Sequence, residues 1–277
     1  MLGALALRQS IRRGQHTGLT TGLAPGFVQA NLVVLPKLHA DDFLRFCELN
    51  TAACPVLGVS DVGSPFMSAL GTNIDVRSDL PGYLVHRNGQ SREAVTDITP
   101  LWRGDLVAVT IGCWFSMEEA LLLAGVRLRH VELGIQGPLF KTSIQTRRAG
   151  IFGGPLVVSM RPFASESVDT VCRVTSRFGR VHGGPVHRGD SAALGIADVS
   201  KPDFGEVLLP LTGEVPLYWA CGLTATVALQ QSGIDFFITH APGKMLVTDC
   251  LNDSLMTACE TPPESKQTTK ESTYVES

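Results

Sequence analysis

No two cysteines in this chain are spaced as CxxC. The seven, Cys47, Cys54, Cys113, Cys172, Cys221, Cys250 and Cys259, are odd in number and widely separated. They match neither a zinc motif nor a redox pair, and read as reduced thiols. An apolar run of bilayer length is also missing. The longest, at 106–115, is about half of the ~20 residues a spanning helix needs, and Gly112 and Cys113 interrupt it. Charge of one sign is not concentrated anywhere: the net charge is -3 and the pI about 6.2. Scattered Lys and Arg give no basis for counterion-release binding to nucleic acid. Neither nucleic acid nor a membrane is therefore an expected partner. Acidic residues are absent before Asp41, whereas Arg8, Arg12 and Arg13 are present, as in an Arg-rich mitochondrial presequence; but these arginines fall inside the first block quoted below, and Met1 to Leu7 alone are too short for a presequence.

What is present is the composition of an ordinary globular protein, with 44% apolar and 18% charged residues over 277 positions. Short Val, Ile and Leu runs alternate with helical patterns, which predicts an α/β fold with a mixed sheet. Strands are expected at 32–35, 106–111, 126–132, 156–161, 215–220, 236–240 and 245–248. Helices are expected from Asp41 to Leu49, after a Ser116/Glu119 capping box, after Ser165, and from Thr224 as a cap to Gly233. Gly/Pro boundaries suggest two intertwined subdomains, a larger one from 1–150 plus 211–250 and a smaller inserted one at 151–210. The polar stretch 251–277 reads as a disordered tail.

Several blocks go beyond pattern. Arg8-Gln9-Ser10-Ile11-Arg12-Arg13-Gly14 precedes Gly22-Leu23-Ala24-Pro25-Gly26-Phe27-Val28-Gln29-Ala30-Asn31-Leu32. Later come Gly154-Pro155-Leu156-Val157-Val158-Ser159-Met160-Arg161-Pro162, Val181-His182-Gly183-Gly184-Pro185-Val186-His187 and Ile238-Thr239-His240-Ala241-Pro242-Gly243. With shorter blocks between them, they resemble the bacterial hydro-lyase family whose animal branch is D-glutamate cyclase. The resemblance covers roughly residues 8–249. It implies a mitochondrial matrix enzyme converting D-glutamate to 5-oxo-D-proline and water, with no cofactor and a small-molecule substrate as partner. In the animal relatives a second large region follows this one, so the chain is expected to be a truncated or alternatively spliced form. Leu133 and Lys244 stand where many bacterial members have an acidic residue and a histidine.

Ring closure of glutamate needs a base for the ammonium and an acid or oxyanion donor at the side-chain carboxyl, with both reacting groups held together. His182 and His187 flank a stiff Gly183-Gly184-Pro185 turn and are acid/base candidates, or else hydrogen-bond a loop. His240, at the end of an expected strand, is a third candidate, and Asp198 a fourth. Arg161 and Arg177 are candidate carboxylate clamps, and Glu132 a candidate partner for the substrate ammonium, unless these three and Asp198 form structural ion pairs. No metal site is expected: Pro185 keeps His182 and His187 off a shared helix face, and no third ligand lies nearby. Cys113 and Cys221 read as buried, inert thiols. His182 to His187, His240 to Gly243 and Arg161 are expected to meet in one pocket.

Overall fold

The computed structural model describes residues 3–88 and 91–257. In chain order the elements are α1 (Ala4–Arg12), β1 (Phe27–Pro36), α2 (Lys37–Leu49), β2 (Val56–Val59), β3 (Tyr83–Arg87), β4 (Ser91–Val95) and β5 (Leu106–Gly112). Then come α3 (Glu118–Leu123), α4 (Arg129–Glu132), β6 (Leu139–Gln145), β7 (Pro155–Ala164), α5 (Val168–Ser176), β8 (His187–Arg188) and β9 (Glu214–Ala220). The last are α6 (Leu223–Gln231), β10 (Phe236–His240) and β11 (Leu246–Leu251).

The strands form two sheets. The larger runs β2-β5-β1-β10-β3-β4, with β11 beside the first half of β1; the smaller runs β6-β7-β9-β8. The α/β class is as expected, but the named strand pairings are antiparallel rather than mixed. Strands β1 and β2, joined through α2, run parallel to one another but do not pair. Strand β5 inserts between β1 and β2 and pairs antiparallel with each.

The period of two along β1 and β5 divides the core of the larger sheet into two. Val33, Leu35, Val107, Val109 and Ile111 face α2 and α6, packing with Phe43, Phe46, Ala225 and Leu229. Leu32, Val34, Leu106 and Ala108 face the other way, onto Leu70, Ile74, Val76 and Leu80. Both faces of β5 are thereby buried, which is why its sequence is an uninterrupted apolar run. In the smaller sheet Phe163, Leu217 and Trp219 pack under α3 and α5, while Val158, Met160 and Tyr218 meet Phe140 and Leu194 on the opposite face.

The smaller sheet draws its strands from residues 139 to 220, a wider span than the expected insert at 151–210. Segment 126–132 is not a strand. Val126 and Leu128 are buried, and the chain then turns through α4, so the apparent alternation there comes from an irregular link between two cores. The expected capping hydroxyls act otherwise. No side chain caps α3 or α6, and Thr224 Oγ1 instead accepts the Val157 N–H at 3.0 Å, fastening α6 to β7.

The tail begins later than expected. Asn252 and Leu255 are buried, Leu255 joins the core beneath α5, and the Thr257 N–H donates to Arg177 O at 2.8 Å. Two apolar anchors, Leu255 and Met256, offset the ordering of this turn. The remainder of the expected tail, 258–277, and with it Cys259, lies outside the described residues.

Candidate active site

The ends of β1, β5 and β10 approach the β7-β9 pair across the gap between the two sheets, and α6 starts there. Close packing makes this possible: a Cβ on Gly222, ahead of α6, would lie 2.6 Å from Asn31 Nδ2. The gap encloses a cavity of about 360 Å³, lined from the larger sheet by Asn31, His86, Thr239 and His240, and from the smaller by Ser159 and Arg161. Trp114, Gln136, Phe204, Glu206, Cys221 and His182 complete much of the wall.

Arg161 is 3% exposed. Its Nη1 donates to Met160 O at 2.7 Å, its Nη2 donates to Gln136 O, and its Nε has no partner. The guanidinium lies over the Trp114 ring, 5.1 Å from the centroid. No carboxylate bonds it directly, and burial lowers its pKa, opposed mainly by the field of Glu118. Gly137 has φ +81, and a Cβ there would sit 2.8 Å from Arg161 Nη1. Glycine at this position lets the 136–137 backbone reach the guanidinium.

Two histidines face the same space. His182 Nδ1 lies 2.8 Å from Ala52 O and donates to it, which leaves Nε2 as the basic nitrogen. Burial holds this ring down to about 4, against the raising effect of the Ala52 and Gly112 carbonyls. His240 Nδ1 lies 3.2 Å from the Leu32 N–H, nearer than the 3.5 Å to Leu32 O. It therefore accepts, and the ring proton sits on Nε2. Burial lowers this ring to about 4 as well. Near neutral pH the cavity thus holds two uncharged imidazoles, one presenting a lone pair and the other an N–H.

Behind Trp114 a second pair is buried. His130 Nε2 is 2.6 Å from Glu118 Oε1, and the His130 ring meets Trp114 edge-on at 5.4 Å. Desolvation pushes Glu118 up to about 7 and His130 down to about 2. Both directions favour an uncharged pair, in which the protonated carboxyl donates to the ring.

Arg161, His182, His240 and Gly243 meet at this cavity, but four expected site residues lie elsewhere. His187, on β8, is hydrogen-bonded to Asp190 O at 2.7 Å, and its ring is tilted against Tyr218. The Gly183-Gly184-Pro185 turn that flanks both histidines sends them in different directions. Arg177 is an exposed residue closing α5. Glu132 is paired with Arg127 at 2.7 Å on the surface, which lowers its pKa. Asp198 accepts the Ser200 N–H and hydroxyl in an exposed turn, and the hydroxyl bond is the main cause of its pKa near 2. His187, Glu132 and Asp198 are satisfied by neighbours in sequence, the structural alternative left open for such groups. Desolvation raises both thiols at the cavity, Cys113 to about 12, which fits inert cysteines.

Sequence reasoning did not single out Asn31, His86, Trp114, Gln136, Ser159, Glu206 or Glu118. His86 stacks on Phe237 at 4.1 Å, and its Nε2 lies 3.3 Å from Thr239 Oγ1. Its only sequence signal is a histidine in an otherwise apolar strand. Among the described residues no three His, Cys, Asp or Glu side chains are grouped to hold a metal ion, and no helix is long and apolar enough to cross a membrane.

Fold and cavity together define a two-sheet α/β protein with a buried arginine and paired neutral imidazoles in an interior pocket. The chain belongs to the D-glutamate cyclase family: that family's model matches residues 107–249. A Pseudomonas aeruginosa protein named "Putative hydro-lyase PA2116" is 52% identical over 90% of this chain and 94% of its own length. Proteins with the same general name from Rubrobacter xylanophilus and Bordetella petrii are 50% and 51% identical, over 89% and 91% of this chain and 95% and 96% of theirs. A solved structure, a nitrogen repressor-like protein from Methanococcus jannaschii, aligns with 85% of this chain and 91% of its own. It does so at 13% identity and a TM-score of 0.36, too low to carry an argument.

Proposed function

We propose that this chain is a lyase that closes D-glutamate to 5-oxo-D-proline with release of water. One observation carries the reading: a buried arginine bonded by no carboxylate shares a cavity with two neutral histidines of opposite proton disposition. Arg161 binds the α-carboxylate. His182 Nε2 takes a proton from the ammonium, the freed amine attacks the side-chain carboxyl carbon, and His240 Nε2–H gives the departing oxygen its first proton; the second proton of the attacking nitrogen restores His240, and the proton held on His182 completes the water. Glu206, at the cavity mouth, attracts the ammonium on entry. The mitochondrial matrix setting rests on the resemblance to animal members, and fractionation of cells expressing the chain checks it.

The test is a panel of D-glutamate, L-glutamate and related carboxylates incubated with the protein and read by mass loss of one water. The D-enantiomer is expected to yield 5-oxoproline. Replacing His182 with Gln should lower kcat about 100- to 10,000-fold, the range for loss of a general base. A melting temperature raised by D-glutamate without any product would identify a binding module instead. Turnover confined to another acid would reassign the substrate.

A further inference from the structure

The cavity has one positive side chain for a substrate that carries two carboxylates. Arg161 is the only Lys or Arg among the lining residues, and Glu206 adds negative charge at the mouth. Helix α6 opens toward the cavity, but two donors of its first turn are taken, Thr224 N–H by Cys221 O and Ala225 N–H by Gly222 O, each at 3.0 Å. The two imidazoles are neutral there. A second carboxylate in this space would be a buried charge without a cation, and its lost hydration would go uncompensated.

The remaining wall suits an uncharged group. Leu84, Phe115, Leu139, Phe204, Leu223 and Met245 all line it. The cavity's 360 Å³ falls in the range of about 300–1,000 Å³ typical of pockets for drug-sized ligands. Charge and volume both leave room for a substituent on the carboxyl that reacts.

We propose that the site accepts D-glutamate derivatives whose γ-carboxyl is already neutral, as γ-amides or γ-esters with an apolar substituent lying along Phe115, Leu139 and Phe204. This rests on the cyclase reading, since it keeps the same attack. The α-amine, its proton passed to His182, forms the N–C bond to the γ-carbonyl carbon. The bond from that carbon to the substituent nitrogen or oxygen breaks, the leaving amine or alcohol takes a proton from His240 Nε2, and the second proton of the attacking nitrogen restores His240. The products are 5-oxo-D-proline and the free amine or alcohol, with no redox change and no water consumed. An amide or ester carbonyl is also a better electrophile than a carboxylate.

The experiment compares D-glutamate with its γ-(4-nitroanilide) on the full chain, following 5-oxoproline for both and released 4-nitroaniline for the second. Filling the apolar wall predicts a kcat/KM roughly 10- to 200-fold higher for the anilide, the range for an added apolar group in a fitting pocket. That result supports the inference whether or not free D-glutamate reacts; if it does not, only the free-acid reading fails. Turnover of D-glutamate with an inert or slower anilide overturns the inference and leaves the cyclase reading standing. No 5-oxoproline from either compound overturns both.

Discussion

Among the described residues two arginines, Arg8 and Arg161, are buried almost completely, and their surroundings differ. Arg8, on α1, is 0% exposed. Its Nη1 and Nη2 donate to Asp249 at 2.8 and 3.0 Å, Val247 O and Thr72 O accept further bonds, and Asp79 lies 3.8 Å away. Arg161 is comparably buried but has carbonyls, an indole face and an open cavity. The first side chain is neutralised by the protein and ties α1 to β11. The second keeps an uncompensated charge, which a ligand can satisfy. The difference separates a buried cation that holds the fold from one available for binding.

Breaking the two sites should give opposite outcomes. Arg8→Met strands Asp249 and should destabilise the fold by about 3–5 kcal/mol, seen as a large drop in melting temperature or denaturation midpoint. Arg161→Met removes a charge with no carboxylate to strand, so stability should hold or rise. Its kcat/KM for D-glutamate should instead fall by about 2–5 kcal/mol, the range for truncating one partner of a buried charge pair. An Arg161→Met variant that unfolds while Arg8→Met stays stable would invert the comparison.

Acid should separate the regions next. His182 and His240 take up a proton near 6.5 when unfolded but near 4 when folded. Between those values the unfolded chain binds more protons, so their contribution is lost as pH falls from 6.5 towards 4. The loss is on the order of 3 kcal/mol for each ring. Glu118 works the other way, weakening the fold as pH rises from 4.5 towards 7. The Arg8 site is more acid-resistant at Asp249, whose carboxyl Arg8 holds below 3.8. That contribution is present above 3.8 and lost only below it. Melts between pH 7.5 and 4.5 should therefore show a steep acid loss in the native chain and a flatter profile in His182→Gln. The smallest effect is expected at the surface: His187→Ala should leave kcat/KM within about twofold and cost about 1 kcal/mol or less, one hydrogen bond.

The fold was legible wherever one physical signal dominated. The apolar β5 and β10 and the amphipathic α5 were expected close to their observed places, because burial on defined faces leaves a periodic trace. Strands β3 and β6 were not: β3 carries His86 and Arg87 among its five residues, and the alternation of β6 buries only Phe140 and Thr142, one of them polar. In the site, Arg161, His182 and His240 were accessible from residue type beside rigid turns, while His187, Arg177, Glu132 and Asp198 offered the same signal and lie outside the cavity. Local spacing cannot distinguish them, because a charge satisfied by its neighbour and a charge left for a ligand have the same sequence.

The sequence by itself determined the α/β class, the family and the set of chemically capable side chains, since these depend on composition, periodicity and motif. The tertiary structure decided which of those side chains are desolvated together. Insertion of β5 between β1 and β2, and the approach of the two sheets, placed Arg161 beside His182 and His240 and moved Glu118 against His130. Burial and hydrogen bonding then set their charges. Desolvation is a property of everything packed around a group, contributed by residues far apart in the chain, so no local stretch of sequence encodes it.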